Sequence, residues 1–490
     1  MYSPSISDFI EIPTELCSLH SVDFCSNWPK LKKKLDCFDL FSGCGGLSSG
    51  LRDAGLINTK WAVENNANTC HAYKLNHPEC ICFNNDCNYI LQKAMSPSRS
   101  KLNIPNKKEV DIIIGGPPCQ GFCSLNRFNK GIYSKFQNSL IVTLLGFVDY
   151  YRPKYFVFEN VMAFASFMRG MVLKLFLKCL LDLDYQVNCG VLQCGQYGVP
   201  QSRRRFILIA AGPGMVLPNL PEPQHVFDES ACHLSFTIDG VRYQNRFQSI
   251  PSAPYRTLTV FDAISDLPPI IHRNRSQDQV HLCYNICTEY QRRMRLKSSN
   301  QLTNHTTRTL SPLCQTRIEL VPKKPGADWR DLPNIVIKLS DGVETNKLQY
   351  PYRFSTQYDD EPNRSVCKCS STNKCDPKDR QENTIIPWNF VHTANKHNNW
   401  AGVYGRLEWE GYFSTTLTKP EPSSKQGRVL HPRVNRILSV RECARSQGIP
   451  DHHVLFGNIL DRYKQVGNAV PPPLAYYIGK EIIKAVLNDP

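Results

Sequence analysis

The 490-residue sequence has no apolar run that approaches the roughly 18 residues needed to span a bilayer. Residues 1–34 also lack the apolar core of a secretory signal peptide. These two absences predict a soluble, intracellular protein that does not act at membranes. The lead-in ends in three lysines, Lys32, Lys33 and Lys34, which is a weak nuclear-import pattern, and we expect a nuclear location.

Acidic residues are too few to balance the basic ones. Lys and Arg total 58 against 43 Asp and Glu, which gives a formal net charge of +15 and a pI near 9.0. This excess favours a polyanionic partner, and we expect a nucleic acid. The chain also lacks the cysteine framework of a small secreted domain, because its 21 cysteines are scattered through apparent core elements. Thiols or metal ligands are therefore expected rather than disulfides.

The first predicted unit is a strand, a glycine turn, a helix and a second strand. Residues 35–41 read as the first strand, residues 42–50 as the turn entering a helix, and residues 61–64 as a strand that ends in Glu64. This order is the nucleotide-binding pattern of a doubly wound α/β sheet. Glu64 is placed to accept hydrogen bonds from ribose hydroxyls.

The third glycine of the dinucleotide-binding pattern is lacking. Gly43 and Gly45 occupy the first two positions and let a ligand approach the backbone, but Ser48 stands at the third. This departure argues against a pyrophosphate and favours an adenosine-type ligand, whose adenine ring Asp86 and Cys87 are placed to cap. A glycine turn required only for packing is the alternative interpretation.

Cys119 follows a short buried strand. Residues 111–114 form that strand, and a Gly-Gly-Pro-Pro sequence ends it just before the cysteine. The thiol is therefore expected at the carboxyl end of a strand, where open α/β sheets bind their ligands. Residues 155–158 read as a strand that delivers Glu159 to the same edge. One more inert, reduced cysteine is the alternative.

Three arginines stand ahead of an apolar strand, residues 206–210. In alternating geometry Arg203 and Arg205 point to one side together with Gln201, which makes an array of hydrogen-bond donors possible. A surface charge cluster is the alternative interpretation.

A cluster of metal-ligand residues lies in a loop-rich region. From about residue 212 to residue 424 apolar periodicity fades and proline and polar turns become frequent, which is typical of a second domain inserted into the first. Three thiolates and one imidazole are the donors of a closed structural zinc site. The candidate ligands are Cys367, Cys369, Cys375 and His392. Free thiols are the alternative.

Regular structure is expected to resume near Gly427. A capping box at residues 439–442 begins one helix, and residues 474–487 form an amphipathic one. The predicted domains are a flexible lead-in (residues 1–34), a core (residues 35–215 and 426–490) and an inserted, loop-rich domain (residues 216–425).

The candidate residues together suggest covalent methyl transfer to cytosine. Addition of the Cys119 thiolate to carbon 6 makes carbon 5 able to attack an electrophilic methyl group. Glu159 is expected to supply a proton or hydrogen bond at ring nitrogen 3, and Arg205 a cation near the O2 oxygen. A base inside a duplex must first be flipped out, and Leu125 or Arg127 would then fill the gap.

The sequence resembles the DNA (cytosine-5)-methyltransferase family, with the closest match to the catalytic part of the animal maintenance-type enzymes. The resemblance covers about residues 35–487 and rests on short motifs in a fixed order. These are DLFSGCGG at 39–46, GPPCQGF at 116–122, ENV at 159–161, QSRRR at 201–205, RECAR at 441–445 and GNAV at 467–470.

The resemblance implies a Rossmann-like, S-adenosylmethionine-dependent core that methylates CpG cytosines in double-stranded DNA. It implies Cys119 as the nucleophile, Glu159 at nitrogen 3, and Arg203 and Arg205 near the flipped base. The residues that it assigns to S-adenosylmethionine are Phe41, Ser42, Gly43, Gly45, Gly46, Leu47, Glu64, Asp86, Cys87, Leu140, Asn468 and Val470.

The resemblance implies that the core is catalytic and that the inserted domain, residues 216–425, is a target-recognition domain. Further residues are implied there. The four zinc-ligand candidates fall where this subfamily binds zinc, and Lys425 and Gln426 fall where it reads the CpG guanine. Around the methylcytosine pocket Trp400 is present, but four residues differ from those usual in maintenance enzymes: Asn389, Phe390, Val403 and Ser423. A preference for hemimethylated CpG is therefore a hypothesis. Since 34 residues precede the core, replication-linked targeting is not expected from this chain.

Three other functions fit part of the sequence. An RNA cytosine-5 methyltransferase would share the catalytic set, but the large inserted region favours a reader of duplex DNA. A catalytically silent, DNA-binding regulatory homologue would not need the complete set of catalytic residue types. A nicotinamide-dependent oxidoreductase accounts for the glycine turn but leaves Cys119 and Glu159 unexplained.

Overall fold

The structure is a computed structural model. It describes residues 28–96, 102–118, 132–238, 240–244, 252–270, 279–281, 285–298, 301–352, 365–369, 375–394 and 397–489. Most of the expected lead-in falls outside these ranges, as do Cys119, Leu125 and Arg127. In the described part of the chain no helix is both long enough and apolar enough to cross a membrane.

A seven-stranded sheet forms the centre of the molecule. Its strands are β1 (Leu35–Leu40), β2 (Ile57–Val63), β3 (Ile81–Phe83), β4 (Ile112–Gly115), β5 (Tyr155–Val161), β6 (Gln186–Gln193) and β7 (Arg204–Ala211). They lie in the order β3-β2-β1-β4-β5-β7-β6, and β7 runs antiparallel to both of its neighbours while the other pairs are parallel. This arrangement confirms the predicted doubly wound, Rossmann-like class.

Helices connect the strands and fill the later part of the chain. In chain order they are α1 (Gly46–Asp53), α2 (Ala67–Asn76), α3 (Cys87–Ala94), α4 (Ile132–Tyr151), α5 (Ala163–Ser166), α6 (Met171–Asp182), α7 (Val260–Ile264), α8 (Glu289–Arg295), α9 (Pro312–Leu320), α10 (Trp388–His392), α11 (His397–Trp400), α12 (Val440–Ser446), α13 (Ile459–Asn468) and α14 (Pro472–Val486).

Both faces of the sheet are covered. Successive residues of a strand point to opposite faces, so Ile113 and Phe156 pack with α3, α4 and α6, whereas Ile112 and Val157 pack with α1 and α14. Strands buried on two faces are apolar at every position, which is why the isoleucine run of β4 has no alternation.

The strand order creates a crevice at one edge of the sheet. From β1 the chain crosses towards β2 on one side, and from β4 it crosses towards β5 on the other. The loops that follow β1 and β4 therefore diverge at the carboxyl ends of two adjacent strands. Such a switch point is where doubly wound sheets bind ligands.

The region between β7 and α12 has little regular structure. It contains two small antiparallel pairs, β8 (Ser235–Ile238) with β9 (Val241–Gln244), and β10 (Gln279–His281) with β11 (Gln301–Thr303). Helices α7 and α8 pack with α12 and α13 in one hydrophobic cluster. A separate cluster between residues 314 and 437 includes Trp329, Trp388 and Phe390. The predicted domain boundaries remain a prediction.

Several predicted element boundaries differ from those in the structure; β2, for example, begins at Ile57 rather than at residue 61. β5 continues to Val161, so Glu159 lies inside the strand, and β7 begins at Arg204, so Arg205 belongs to the strand. The cause is the antiparallel ladder between the two strands, which pairs Arg205 with Val161 and supplies backbone partners to these polar residues. Helix α12 begins at the predicted capping box of Ser439 and Glu442, whereas residues 427–439, where regular structure was also expected, contain turns and isolated bridges.

Candidate active site

The turn after β1 uses three glycines for different reasons. Gly43 and Gly45 have φ angles of 57° and 91°, in the left-handed region that side chains disfavour. Gly46 is needed for close approach, because a Cβ atom there would lie 2.3 Å from the backbone oxygen of Val470. The predicted cofactor residues before α1 and after α13 are therefore in contact with each other.

Glu64 connects this turn to β2. Its carboxylate accepts hydrogen bonds from the backbone N–H of Gly43 at 3.0 Å and of Asn66 at 2.8 Å. Burial raises the pKa of Glu64, although these hydrogen bonds oppose the rise. The acid thus lies against the glycine turn, as the nucleotide-binding pattern predicts.

The surroundings of the turn have features of a nucleoside pocket. The Ser42 hydroxyl is buried without a hydrogen-bond partner among the described residues. Apart from the two neighbouring residues in the chain, no described residue has an atom within 4 Å of the position of a Cβ at Gly43. Cys87 begins α3, and its thiol is buried. Open space beside an unsatisfied polar group fits a polar ligand such as the adenosine part of S-adenosylmethionine.

Other predicted cofactor residues lie on or next to α3, α4 and α13. Asp86 caps α3 by accepting the backbone N–H of Asn88 at 2.7 Å. Leu140 is buried on α4, and Asn468 is exposed at the end of α13. One oxygen of the Asp86 carboxylate is thus used for capping.

Asp39 is buried near the end of β1, and no role was predicted for it from the sequence. Its carboxylate accepts hydrogen bonds from the hydroxyls of Ser48 at 2.6 Å and Tyr73 at 3.1 Å. Burial raises the pKa of Asp39 to about 7, despite the lowering effect of both hydrogen bonds. The sequence held one sign of this hydrogen bond, which is that Ser48, with its hydroxyl, stands at the position of the missing third glycine.

Glu159 and Arg205 form a partly buried ion pair at the same sheet edge. Arg205 Nε lies 2.7 Å from Glu159 Oε1, and each side chain is 12% exposed. A Cβ at Gly116 would lie 3.1 Å from Glu159 Oε2, so this glycine makes room for the carboxylate. Asn160 donates a hydrogen bond to the Pro117 carbonyl at 3.3 Å. The chain that leads from β4 towards Cys119 therefore passes beside the acid.

Arg203 is directed elsewhere than Arg205, which divides the predicted donor array. Its guanidinium is buried and donates to the carbonyls of Gly467 and Ala469, each at 3.0 Å. Gln201 donates to the Ser446 carbonyl at 3.0 Å. The reason is that the loop after α13 exposes carbonyl groups that need donors. Arg203 thus holds the loop that carries Asn468, while Arg205 faces Glu159.

The four zinc-ligand candidates come together in the inserted region. One ligand atom from each of Cys367, Cys369, Cys375 and His392 lies within 4.8 Å of the others. The two sulfur atoms of Cys369 and Cys375 are 3.4 Å apart, and His392 Nε2 lies 2.8 Å from Cys375 Sγ. Tetrahedral zinc with Zn–S bonds near 2.3 Å requires donors roughly 3.5 Å apart, so these residues fit a zinc ion.

Trp400 and Lys425, two predicted DNA contacts, lie near each other. Lys425 Nζ is 6.0 Å from the centre of the Trp400 ring. Gln426 follows in a tight loop, and its Oε1 is buried without a hydrogen-bond partner among the described residues. The ring of Phe390 packs between those of Trp400 and Trp329, with centroids 5.4 and 5.6 Å away. Phe390 thus occupies apolar surface beside Trp400.

The fold and the pocket define a Rossmann-like domain of the S-adenosylmethionine-dependent methyltransferase type. The family model for C-5 cytosine-specific DNA methylases matches residues 35–484, and the chain belongs to this family.

Several known proteins are similar to the chain. It is 50% identical over 457 residues to DNA (cytosine-5)-methyltransferase 1 of Gallus gallus, covering 92% of this chain and 30% of that protein. It is 49% identical over 460 residues to DNA (cytosine-5)-methyltransferase PliMCI of Paracentrotus lividus, covering 92% of this chain and 28% of that protein. The chain thus spans less than a third of the length of these relatives.

A solved structure supports the fold. The chain superposes with a TM-score of 0.55 on a DNA modification methyltransferase encoded within an E. coli prophage, at 20% sequence identity. The superposition covers 93% of this chain and 100% of the other. At this level of identity the likeness shows a shared fold.

The titration of Asp39 leads to a testable prediction for Asp39→Asn. The pKa of this carboxyl rises from 3.8 to about 7 on folding, so its stabilising protonated form is complete below about pH 4 and is lost as the pH rises through about 7. The free energy of unfolding of the wild type, relative to the variant, should fall by roughly 2 to 4 kcal/mol over that range. Urea denaturation at a series of pH values measures it. A difference that is independent of pH would contradict the assignment.

Proposed function

We propose that the chain transfers a methyl group from S-adenosylmethionine to carbon 5 of cytosine in CpG sites of double-stranded DNA. The observation that carries this proposal is the Glu159–Arg205 pair at 2.7 Å beside the chain leaving β4, at the same sheet edge as the glycine turn. Membership of the C-5 cytosine-specific DNA methylase family supports it.

The reaction proposed for this site begins at Cys119. Its thiolate adds to carbon 6 of a flipped cytosine, and the electron pair moves to carbon 5, which takes the methyl group. Loss of the carbon 5 proton to solvent and departure of the thiolate then restore the aromatic ring. When bound, S-adenosylmethionine would supply a methyl group on a positively charged sulfur, which keeps the electron pair of the broken S–CH3 bond and becomes a neutral thioether. Glu159 would hydrogen bond to ring nitrogen 3 and stabilise charge that develops on the ring.

Arg205 is proposed to act on both the acid and the base. Its Nε holds Glu159 and its Nη1 donates to the Arg204 carbonyl at 2.8 Å, and its Nη2 would donate to a pyrimidine O2 oxygen. Arg203 is proposed to act at a distance from the base, because its donors are used on the loop of Asn468. That loop and the turn at residues 41–46 would hold the cofactor between them, together with Glu64 and Asp86.

DNA binding is proposed for the face that carries Trp400, Lys425 and Gln426. The net charge of +15 would draw the protein to the phosphate backbone. Lysine and glutamine can donate to guanine acceptors in the major groove, which would select CpG. Leu125 and Arg127 would fill the space of the flipped base. Because such a substrate lies in the nucleus, we propose a nuclear location.

Methyl transfer tests the proposed function. We expect radiolabelled methyl groups to pass to duplexes that contain CpG but not to a CpG-free duplex or to transfer RNA. Cys119→Ser should abolish transfer, because a hydroxyl is a far weaker nucleophile than a thiolate. Cys179→Ser, which changes an exposed cysteine on α6, is the matched control. Equal labelling by the Cys119 variant, or labelling of the RNA alone, would contradict the proposal.

The same assay tests a hemimethylated preference. The methylation rates on hemimethylated and unmethylated duplexes of one sequence are compared. Equal rates would contradict a hemimethylated preference. A modest ratio is expected, since burial of one methyl group contributes only about 1 kcal/mol and Phe390 already packs against Trp400.

We also propose that Cys367, Cys369, Cys375 and His392 bind one structural zinc ion. The purified protein should contain about one zinc per chain by elemental analysis, and Cys369→Ser should lose most of it because three donors bind zinc weakly. Cys314→Ser, which changes a buried cysteine of the same hydrophobic cluster, should keep the metal. Zinc contents that are equal in the Cys369 and Cys314 variants would contradict the site.

A further inference from the structure

The cofactor turn, defined as residues 41–46, has a conformation that needs external support. Phe41 has a φ angle of 58°, although it is not a glycine, and Gly43 and Gly45 are also left-handed. A non-glycine residue in this region pays a conformational cost and persists only when its surroundings impose it. The hydrogen bond from Gly45 N–H to the Ser42 carbonyl at 3.0 Å lies within the turn, so it does not hold the two ends together.

Three buried polar side chains join the two ends of this turn. Asp39 lies two residues before it and Ser48 two residues after it, and their hydrogen bond of 2.6 Å links the last part of β1 to the first turn of α1. The Tyr73 hydroxyl contacts both, at 3.1 Å from Asp39 Oδ2 and 3.0 Å from Ser48 Oγ. All three side chains are at most 2% exposed, so solvent does not compete for these bonds.

Helix α2 carries this support to the middle of the turn. The Tyr73 ring stacks on the His77 ring with centroids 4.5 Å apart. His77 Nε2 lies where a Cβ at Gly45 would be only 2.5 Å away, so the ring rests directly against the turn. A displacement of Tyr73 would therefore displace the packed His77 ring and, through it, Gly45.

We propose that Asp39, Ser48 and Tyr73 form a clasp that holds the cofactor turn in its binding conformation and so sets the affinity for the methyl donor. This inference rests on the proposed function of the same site. It gives Ser48 a reason to replace the third glycine, because a glycine has no hydroxyl to donate to Asp39. The clasp residues are positioning residues, since they are buried beneath the turn. Their effect on the ligand passes through the backbone at residues 41–46.

Two single substitutions and a matched control test the clasp. Ser48→Ala and Tyr73→Phe each remove one hydroxyl donor to Asp39 and keep the remaining side chain for packing. Tyr185→Phe is the control, because the Tyr185 hydroxyl is also buried but donates to the Pro153 carbonyl at 2.6 Å rather than to Asp39. Calorimetry at a temperature where every variant is folded gives the dissociation constant for S-adenosylmethionine.

The expected result is a selective loss of cofactor affinity. Ser48→Ala and Tyr73→Phe should weaken S-adenosylmethionine binding by about five- to tenfold, in keeping with the loss of a buried hydrogen bond to a carboxylate. Tyr185→Phe should stay within about twofold of the wild type. In turnover, KM for the methyl donor should rise while KM for the duplex stays unchanged. The double variant should lose less than the product of the single effects, because both hydroxyls serve one carboxylate.

Two outcomes would overturn the inference and can be told apart. If the wild type binds S-adenosylmethionine and the Ser48 and Tyr73 variants bind it equally well while unfolding at lower temperature, the three residues serve stability alone and the clasp is wrong. If the wild type itself does not bind S-adenosylmethionine, the proposed function fails and the clasp falls with it.

Discussion

The parallel pairing of β1 with β4 is the constraint on which the rest of the site depends. Four residue pairs, from Cys37 with Ile112 to Leu40 with Gly115, bring the carboxyl ends of the two strands level with each other. The glycine turn follows one strand, and the chain towards Cys119 follows the other. Because the two connections leave in opposite directions along the sheet, a crevice opens between them. A register shift of one residue would turn every side chain to the wrong face.

Around this crevice, buried charged side chains are compensated by ion pairs or by hydrogen bonds to backbone carbonyls. Glu159 is paired with Arg205, and Arg203 directs its charge to backbone carbonyls. Deeper in the chain, Arg445 lies between Asp266 and Asp451 and joins α12 to the α7 region. Removing one partner of such a set leaves an uncompensated charge, so these residues also fix how the later part of the chain packs on the sheet. Asp39 differs, because hydroxyl groups rather than a cation bond to it.

Much of the sheet could be predicted from apolar runs and glycine. β1 and α14 lie close to their predicted bounds, and the glycine turn and Glu64 come together as the nucleotide-binding pattern indicates. Local chemistry was sufficient there, since a buried strand and a left-handed turn restrict residue choice within a few positions. The zinc-ligand candidates were also identified from residue type, although 25 residues separate the first from the last.

The misses have a common physical cause, which is contact between distant parts of the chain. Arg203 looked like a companion of Arg205, but carbonyls more than 260 positions away in the sequence bind it. Glu159 was expected after its strand, yet pairing with β7 extends that strand past it. Asp39 belongs to the motif DLFSGCGG, but its role could not be predicted, because its hydrogen bond with Tyr73 requires α2 to pack beside α1. A single sequence does not reveal which remote group will meet a given side chain.

The proposed reaction requires the thiol of Cys119 to bond to a cytosine beside Glu159. Its most direct test is mass spectrometry of the peptide that remains attached to a CpG duplex containing 5-fluorocytosine, in which the fluorine blocks release of the thiolate after methyl transfer. We expect one adduct, which carries the methylated base on residue 119 and forms only when S-adenosylmethionine is present. An adduct on any other cysteine, or none under conditions where the protein binds both the duplex and S-adenosylmethionine, would contradict it.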